Sequence, residues 1–404
     1  MNTKMSAGLI HQGNKKLILN LIKRKGEISR SDIASRTGLT PPTIGRIIDE
    51  LISGYNLVEV KGLGNSNGGR PPLIVKFKSD HNYIIGIDLG ATYIRGCLVD
   101  LDLRFLSEIQ IPTEIEKGFK YIIEKVVQII KKFQNRPENG GKIWGVGIGV
   151  AGLVNRETGI IEYSPDFEWE NINLQEEISK MIDIPVFYDN STRLMALGEL
   201  NFNKKSRLKN FAIINVGYGI AAGLVIDGNL IKGHSGFAGE FGHISIDTCS
   251  RIKCKCGKYG CLEALASGHR IANLGKNALN NKDAKILKNL SEGNVNLVSA
   301  ELVAKAAKQG DEPSLKIYDE ISEYLAQGIG TLTNLLNPEV VYIGGGISLN
   351  GEFFFDLINS KITKYLLPPN LGINIQPSTF GELATSIGAV SLVMEKIMNL
   401  ELNY

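Results

Sequence analysis

A histidine and three cysteines are spaced like the ligands of a metal ion. His243 is followed by Cys254, Cys256 and Cys261. Three thiolates and one imidazole are a favoured ligand set for tetrahedral zinc. Because four protein ligands leave no open position for water, the pattern predicts a structural Zn²⁺ site. The alternative is a group of reduced, buried cysteines without a metal.

Two carboxylates flank this cluster. Glu240 precedes His243 by three residues, and Glu263 follows Cys261 by two. A metal clamp would hold both carboxylates close to the imidazole, where they could receive the hydroxyl groups of a sugar. The chain has five cysteines, and an odd count without a secretion signal argues against a disulfide framework.

The composition is that of a folded globular protein. The 404 residues are 43% hydrophobic and 22% charged, which excludes a mainly disordered chain and suggests two to four domains of about 100–200 residues. No apolar run approaches the roughly 20 residues of a membrane helix. Residues 1–16 are polar and lack the apolar core of a signal peptide. We therefore expect a cytoplasmic protein without a membrane partner.

The small net charge of +3 conceals two oppositely charged parts. Residues 1–78 contain 13 basic and 5 acidic residues, a net charge of +8, whereas the remainder contains 32 basic and 37 acidic residues, a net charge of −5. A basic head on an acidic body indicates that the head binds a polyanion. A solvated, charged surface is the alternative.

The basic head has the pattern of a winged helix-turn-helix. Apolar spacing predicts a helix over 15–25, a second helix capped by Ser29 and a third capped by Thr40, with a hairpin of strands at 57–60 and 72–77 as the wing. The third helix would lie in the major groove of double-stranded DNA. A helical bundle without a DNA role is the alternative. The expected DNA contacts are Ser29, Arg30, Thr40, Thr43, Arg46 and Arg70.

The body repeats one α/β pattern. A hairpin of strands at 84–88 and 94–99 turns on Asp88-Leu89-Gly90-Ala91-Thr92, and a helix at 117–134 and a strand at 145–150 follow. Strands at 211–215 and 224–226 enclose a second glycine-rich turn, and a third glycine cluster follows a strand at 340–343. Glycine-rich turns after apolar strands are typical of phosphate loops. The pattern predicts two α/β halves with a nucleotide-type cleft between them.

These motifs together resemble the ROK family of bacterial sugar kinases and sugar-responsive repressors, and the resemblance runs essentially from end to end. The head resembles the repressor branch. The matching stretches are Ile28-Ser29-Arg30-Ser31-Asp32-Ile33-Ala34, Thr37-Gly38-Leu39-Thr40, Gly69-Arg70-Pro71, Asp88-Leu89-Gly90-Ala91-Thr92, Gly147-Ile148-Gly149-Val150-Ala151-Gly152, Gly239-Glu240-Phe241-Gly242-His243 and Cys254-Lys255-Cys256-Gly257-Lys258-Tyr259-Gly260-Cys261-Leu262-Glu263.

The resemblance implies a winged helix-turn-helix (residues 1–78) followed by a two-lobed, ribonuclease-H-like α/β fold shared with actin and hexokinase. The first lobe would comprise 82–200 plus 383–404, and the second 201–382. The resemblance also implies a homodimer or homotetramer. The sugar contacts it implies are Asn190, Glu240, His243 and Glu263, with Asp166 standing where the family has asparagine.

Departures from the kinase pattern separate the two branches. Ser191 stands where the kinases carry the aspartate that acts as general base, and a serine hydroxyl cannot accept a proton near neutral pH. Asp189 is the nearest carboxylate in the sequence, but it stands two residues before Ser191 and would have to act as the base from a displaced position. Tyr218 would crowd a triphosphate at the second glycine-rich turn. We therefore expect a repressor of a carbohydrate-utilisation operon that is relieved by a monosaccharide such as xylose or glucose; the alternative is an ATP-dependent sugar kinase with a fused DNA-binding head.

Overall fold

The computed structural model describes residues 7–64, 71–136, 141–155, 157–203 and 208–402. A small unit, here called the head, comes first. Three strands in the order β1-β3-β2 form a sheet beside its three helices, with β3 antiparallel to both neighbours. Its elements are α1 (Ala7–Lys25), β1 (Glu27–Ser29), α2 (Arg30–Thr37), α3 (Pro41–Ser53), β2 (Val58–Leu63) and β3 (Leu73–Phe77).

The apolar face of α3 forms the centre of the head. Ile44, Ile47, Ile48 and Leu51 are fully buried, as their spacing predicts. Two features differ from the sequence prediction. The first helix starts at Ala7 rather than at residue 15, and β1 was not predicted because three residues carry no periodicity.

The first lobe contains a five-stranded sheet in the order β11-β7-β4-β5-β6. A three-stranded sheet, β10-β9-β8, lies beside it and contributes to the same apolar core. The elements of this lobe are β4 (Asn82–Leu89), β5 (Tyr93–Asp100), β6 (Phe105–Pro112), α4 (Phe119–Gln134), β7 (Lys142–Val150), β8 (Leu153–Val154), β9 (Ile161–Ser164), β10 (Trp169–Ile172), α5 (Leu174–Ser179), β11 (Val186–Asn190) and α6 (Ser191–Phe202).

The second lobe repeats this topology. Its sheet has the order β14-β13-β12-β15-β16, in which an antiparallel hairpin is continued by two parallel strands, as in the first sheet. The duplicated α/β fold is therefore confirmed. The elements are β12 (Phe211–Val216), β13 (Ile220–Ile226), β14 (Asn229–Leu230), α7 (Leu262–Ala266), α8 (Gly268–Ala278), α9 (Lys285–Leu290), α10 (Ala300–Lys308), α11 (Glu312–Leu336), β15 (Val340–Gly344), α12 (Glu352–Ile362) and β16 (Asn374–Pro377). The last helix, α13 (Ala384–Met398), returns to the first lobe and packs on β4 and β7 of its sheet.

Helices α6 and α13 connect the parts of the molecule. They pack along each other, α6 also contacts β13 of the second sheet, and α13 contacts β4 and β7 of the first. The two helices approach closely where Gly198 meets Gly388; a Cβ atom at Gly388 would lie 1.8 Å from the carbonyl oxygen of Leu194. Since only glycine permits this distance, the crossing is rigidly defined.

The far end of α13 contacts the head. Residues of α1, α3 and β3 share one apolar cluster with Met394 and Ile397 of α13 and with Trp144 of β7. The amine of Lys23 lies 2.9 Å from the sulfur of Met394 and 5.0 Å from the centre of the Phe77 ring. The head therefore packs directly on the body. No helix within the described ranges is long and apolar enough to cross a membrane.

Candidate functional site: a cleft beside a cysteine–histidine cluster

A cleft of about 1160 Å³ separates the two lobes. One wall includes the β4–β5 turn and the start of α6, and the other includes the second glycine-rich turn and the loop that carries the cysteines. All five sugar contacts implied by the sequence line this cleft. They are Asp166, Asn190, Glu240, His243 and Glu263.

The four predicted metal ligands come together at the edge of the cleft. The ligand atoms of His243, Cys254, Cys256 and Cys261 all lie within 4.8 Å of one another. The Cys254 sulfur is 3.6 Å from Nδ1 of His243, and the sulfurs of Cys256 and Cys261 are 3.7 Å apart. In tetrahedral zinc sites these separations are about 3.6 Å and about 3.8 Å, so the cluster fits Zn²⁺.

Two glycines allow the loop to fold around the cluster. Gly257 and Gly260 have φ angles of 89° and 67°, and a Cβ atom at Gly260 would lie 1.8 Å from the carbonyl oxygen of Asp247. The amide of Cys254 donates to the carbonyl of Lys258 at 2.8 Å, which closes the turn between the ligands. The backbone alone thus brings the sulfurs together.

The carboxylates occupy the positions that their spacing predicts. Nε2 of His243, the nitrogen that faces away from the sulfurs, lies 3.9 Å from Glu240. Burial raises the pKa of the Glu240 carboxyl, whereas His243 and Arg193 oppose this rise. Oε2 of Glu263 accepts the amide proton of Ile220 at 3.0 Å, which orients this carboxylate in the wall of the cleft.

Asn190 has a structural role in addition to its place in the cleft. Its Oδ1 accepts the amide protons of Thr192 and Arg193 and thereby caps α6, while its Nδ2 donates to the carbonyl of Gly152 at 2.9 Å. Both polar atoms of the Asn190 side chain, Oδ1 and Nδ2, therefore already have hydrogen-bond partners. Ser191, the next residue, is 8% exposed and lines the cleft.

The carboxylate nearest to Ser191 in sequence is engaged elsewhere. Oδ1 of Asp189 accepts hydrogen bonds from the backbone amide of Asn190 and from the buried guanidinium of Arg193. That guanidinium also donates to the carbonyls of Gly236 and Val154. Asp189 belongs to a structural ion pair and is absent from the residues that line the cleft.

The two glycine-rich turns face each other across the cleft, and the second is shorter than the sequence suggested. Only 217–219 form the turn, because β13 already starts at Ile220. Tyr218 lines the cleft and lies beside His269, with ring centres 5.2 Å apart. On the opposite wall, burial raises the pKa of Asp88 to about 7, and Arg95 at 3.9 Å partly offsets this effect.

Sequence reasoning missed the role of Lys255. This residue stands between Cys254 and Cys256, and its amine lies 3.2 Å from Oδ1 of Asp166 on the other lobe. A lysine inside a metal-ligand motif carries no signal of its own, because its partner lies 89 positions away in sequence. Asp166 therefore faces the cleft as one half of an ion pair.

The head shows which of the predicted DNA contacts are accessible. Ser29 is 3% exposed, and its hydroxyl accepts the amide proton of Asp32 at 3.0 Å, so it caps α2 rather than facing a ligand. Arg30 bonds to Asp49 at 2.9 Å. Arg70 lies outside the described residues.

The N-terminal half of α3 offers the exposed side chains. Thr40 is the N-cap residue, but its hydroxyl bonds to that of Thr43 at 2.9 Å instead of capping the backbone. The side chain of Arg46 is 67% exposed and lies 4.0 Å from Glu50. Thr43 is half-buried and Arg46 is exposed, so both are accessible on α3, the helix for which the sequence predicts contacts in the major groove.

Comparisons with known protein families agree with this architecture. A model described as "ROK family" matches residues 84–396, and one described as "Winged helix-turn-helix DNA-binding" matches residues 13–54. The chain belongs to the ROK family.

Individual ROK proteins differ in how much of the chain they match. A "Xylose repressor" of Caldicellulosiruptor bescii is 31% identical over 396 residues, which cover 97% of this chain and 98% of the repressor. A "Glucokinase" of Thermotoga maritima is 32% identical over 316 residues, 78% of this chain and 98% of the kinase. A solved ROK family transcriptional regulator, described as a homologue of the E. coli MLC protein, aligns over 97% of this chain and 98% of its own, with 28% identity and a TM-score of 0.80.

Proposed function

We propose that this protein is a sugar-responsive transcriptional repressor of a carbohydrate-utilisation operon. The observation that carries the proposal is the presence, in one chain, of a winged helix-turn-helix head and a ROK body, matched together over almost their whole length by a xylose repressor. The glucokinase relative covers only 78% of the chain. Binding to operator DNA would place the protein in the cytoplasm.

The effector is a monosaccharide, such as xylose or glucose, bound in the cleft. Glu240 and Glu263 would accept sugar hydroxyl protons, and Nε2 of His243 would donate to a sugar oxygen. Asp166 would contact the sugar from the first lobe, and Asn190 would fix the edge of the pocket. Because these groups come from both lobes, a bound sugar favours the closed cleft by its difference in affinity for the two states.

Zn²⁺ is the metal that we propose for the cluster, held by His243, Cys254, Cys256 and Cys261. When bound, the ion supplies a structural cross-link. Ligation through Nδ1 of His243 fixes the proton on Nε2, which is the nitrogen that faces Glu240. Cys256→Ser should therefore weaken both zinc and sugar binding; unchanged zinc content and sugar affinity would contradict the proposed site.

Helices α6 and α13 provide a route from the cleft to the head. Helix α6 starts at Ser191 in the cleft, crosses α13 at Gly198 and Gly388, and α13 ends against α1 of the head. In a homodimer or homotetramer, closure of the cleft would rotate two heads relative to the half-sites of an operator. We propose that sugar binding releases the DNA.

A sugar kinase with a fused DNA-binding head is the second candidate. Asp88, Gly90 and Thr92 still line the cleft and favour it. We propose that Ser191 replaces the general base of the kinases, which makes the protein a non-enzyme; the pairing of Asp189 with Arg193 supports this view. ATP-dependent phosphorylation of a sugar panel by wild-type protein, with Ser191→Asp for comparison, tests it. Robust wild-type turnover would favour the kinase.

The repressor proposal is tested by DNA binding. Fluorescence anisotropy with DNA from upstream of the gene's own operon should show specific binding that a single aldose of a panel abolishes. Calorimetry with the same panel identifies that sugar independently of DNA. Binding to operator that no sugar alters, together with the absence of any sugar binding, would exclude this function.

A further inference from the structure

A salt bridge joins the two walls of the cleft. Asp166 lies in the turn between β9 and β10, whose core residues belong to the first lobe, and Lys255 lies in the cysteine-rich loop of the second. Their charged atoms are 3.2 Å apart. Because Lys255 stands between Cys254 and Cys256, a metal ion that holds these two cysteines also holds the backbone of Lys255. The ion pair therefore connects the metal cluster to the opposite lobe.

The two partners differ in burial. The side chain of Asp166 is only 16% exposed, whereas that of Lys255 is 41% exposed. Within the described ranges, no other side chain forms a hydrogen bond or salt bridge with Asp166. A carboxylate that is removed from water needs a compensating charge or donor, so Asp166 depends on Lys255. Only Oδ1 is used, and Oδ2 remains available to a ligand.

An aromatic ring supports the amine of Lys255. The amine lies 4.6 Å from the centre of the Tyr218 ring, which itself packs beside His269. A cation over an aromatic face is attracted by the electrons of the ring. Tyr218, which departs from the kinase pattern, thus helps to orient the Lys255 amine toward Asp166.

We propose that Lys255 is a positioning residue for the effector sugar: it reaches across the cleft from the cysteine-rich loop and holds Asp166 in the orientation that receives a sugar hydroxyl. This inference rests on the proposed sugar-binding function. Without the lysine, Asp166 would be an unpaired carboxylate facing a cleft that already contains Glu240 and Glu263. Like charges would then drive it away from the ligand.

The size of the effect follows from the exposure of the pair. A salt bridge that is partly open to water contributes little by itself. A sugar bound next to the Asp166–Lys255 pair displaces water and strengthens the attraction between the two charges. The pair therefore contributes to sugar affinity mainly in the closed, sugar-bound state. The consequence is a slower dissociation of the sugar rather than a faster association.

The experiment measures sugar affinity and dissociation rate for wild type, Lys255→Met, Lys255→Arg and Asp166→Asn, each with its zinc content. Lys255→Met should weaken sugar binding by about 5- to 10-fold, mainly through faster dissociation, and Lys255→Arg should stay within about 2-fold of wild type. A double variant that combines Lys255→Met with Asp166→Asn should bind the sugar no more weakly than Asp166→Asn alone. Lys253→Met, which changes an exposed lysine of the same loop, is the matched control and should leave affinity unchanged.

Two outcomes would overturn the inference. One is equal sugar affinity of Lys255→Met and wild type, both loaded with zinc. The other is strictly additive losses in the double variant, which would mean that the two residues act independently. Failure of the proposed sugar-binding function is distinguishable, because then wild type itself binds no sugar. In that case backbone hydrogen exchange of residues 161–172, the β9–β10 segment that contains Asp166, tests whether Lys255 holds this segment in place. Exchange should be faster in Lys255→Met than in wild type or Lys255→Arg. Equal rates would reject the positioning role.

Discussion

Asp88 is a buried carboxylate of the cleft for which the proposed repressor function gives no catalytic role. It follows a buried strand and lines the cleft at the first glycine-rich turn. Burial raises the pKa of its carboxyl to about 7, and the nearby Arg95 only partly offsets this effect. A buried carboxylate that no ligand compensates destabilises the fold. In a repressor without nucleotide chemistry, this destabilisation brings no catalytic gain.

Asp88→Asn should therefore stabilise the protein near neutral pH. The folded state keeps the proton up to about pH 7, whereas the unfolded carboxyl loses it near its usual pKa of 3.8. Stability of wild type then falls as pH rises between these values, and the variant should lose this slope and gain roughly 1–3 kcal/mol at pH 7.5. Urea unfolding at several pH values measures it, with surface Asp227→Asn as control. A variant as pH-sensitive as wild type would contradict this assignment, and loss of sugar-dependent operator release would show that Asp88 has a function.

At the scale of elements, α3 is the helix that we expect to recognise DNA. Its buried face is fixed by four apolar residues, so only the opposite face is free to contact DNA. Arg46 lies on that free face, with Glu50 and His11 as neighbours at 4.0 Å and 3.4 Å. These contacts are solvent-exposed and weak, and a DNA base or phosphate can replace them.

Arg46→Ala should reduce specific operator affinity by about 10- to 100-fold, as expected for the loss of a base-reading arginine. Arg24→Ala on α1 removes the same charge elsewhere in the head and should have a much smaller effect. Anisotropy at fixed salt with operator and scrambled DNA separates the two cases. If both variants lose the same affinity for both DNAs, Arg46 contributes charge alone.

The crossing of α6 and α13 makes a second prediction at this scale. Gly388→Ala would place a methyl group 1.8 Å from the backbone of α6 and should destabilise the body by at least about 2 kcal/mol. Gly13→Ala in α1, where a methyl group meets nothing within 4 Å, is the matched control and should be neutral or stabilising. Thermal unfolding checks both. Equal stability of Gly388→Ala and wild type would mean that the helices can separate without cost.

The elements also show what the sequence could and could not predict. Local periodicity correctly predicted α3 and the β4–β5 hairpin, and the spacing of His243 and the three cysteines correctly predicted that these four residues come together, because each depends on residues close together in the chain. β1 was missed because its three residues carry no periodicity and its pairing partner, β3, lies more than 40 positions away. The contact of Lys255 with Asp166, and that of Arg193 with the carbonyl of Gly236, also depend on how distant segments of the chain meet, which spacing alone does not encode.

At the scale of the whole molecule, the basic head and the acidic body share one apolar cluster. A head packed in this way moves only when its contacts with α13 are exchanged or lost. One group opposes the packing: the amine of Lys23 lies against Met394 and Phe77, where it is partly shielded from water. Burial lowers its pKa to about 8, and the charge of Asp102 opposes this decrease without cancelling it. The charged amine of Lys23 therefore destabilises the contact between head and body near pH 7.

Lys23→Met tests this weakness. In wild type the folded amine is charged below about pH 8, while the unfolded amine stays charged up to about pH 10.5. Because the unfolded state binds more protons between these values, stability should rise as pH increases from about 8 to about 10.5. Methionine keeps the volume and removes the charge, so the variant should be more stable at pH 7 by at most about 3 kcal/mol and should lose the alkaline rise. Unfolding followed at pH 7, 8.5 and 10, with Lys25→Met at the exposed end of α1 as control, measures both effects. A stability that rises with pH equally in the variant would place the titrating group elsewhere, and a less stable variant would show that the amine supports the junction between head and body.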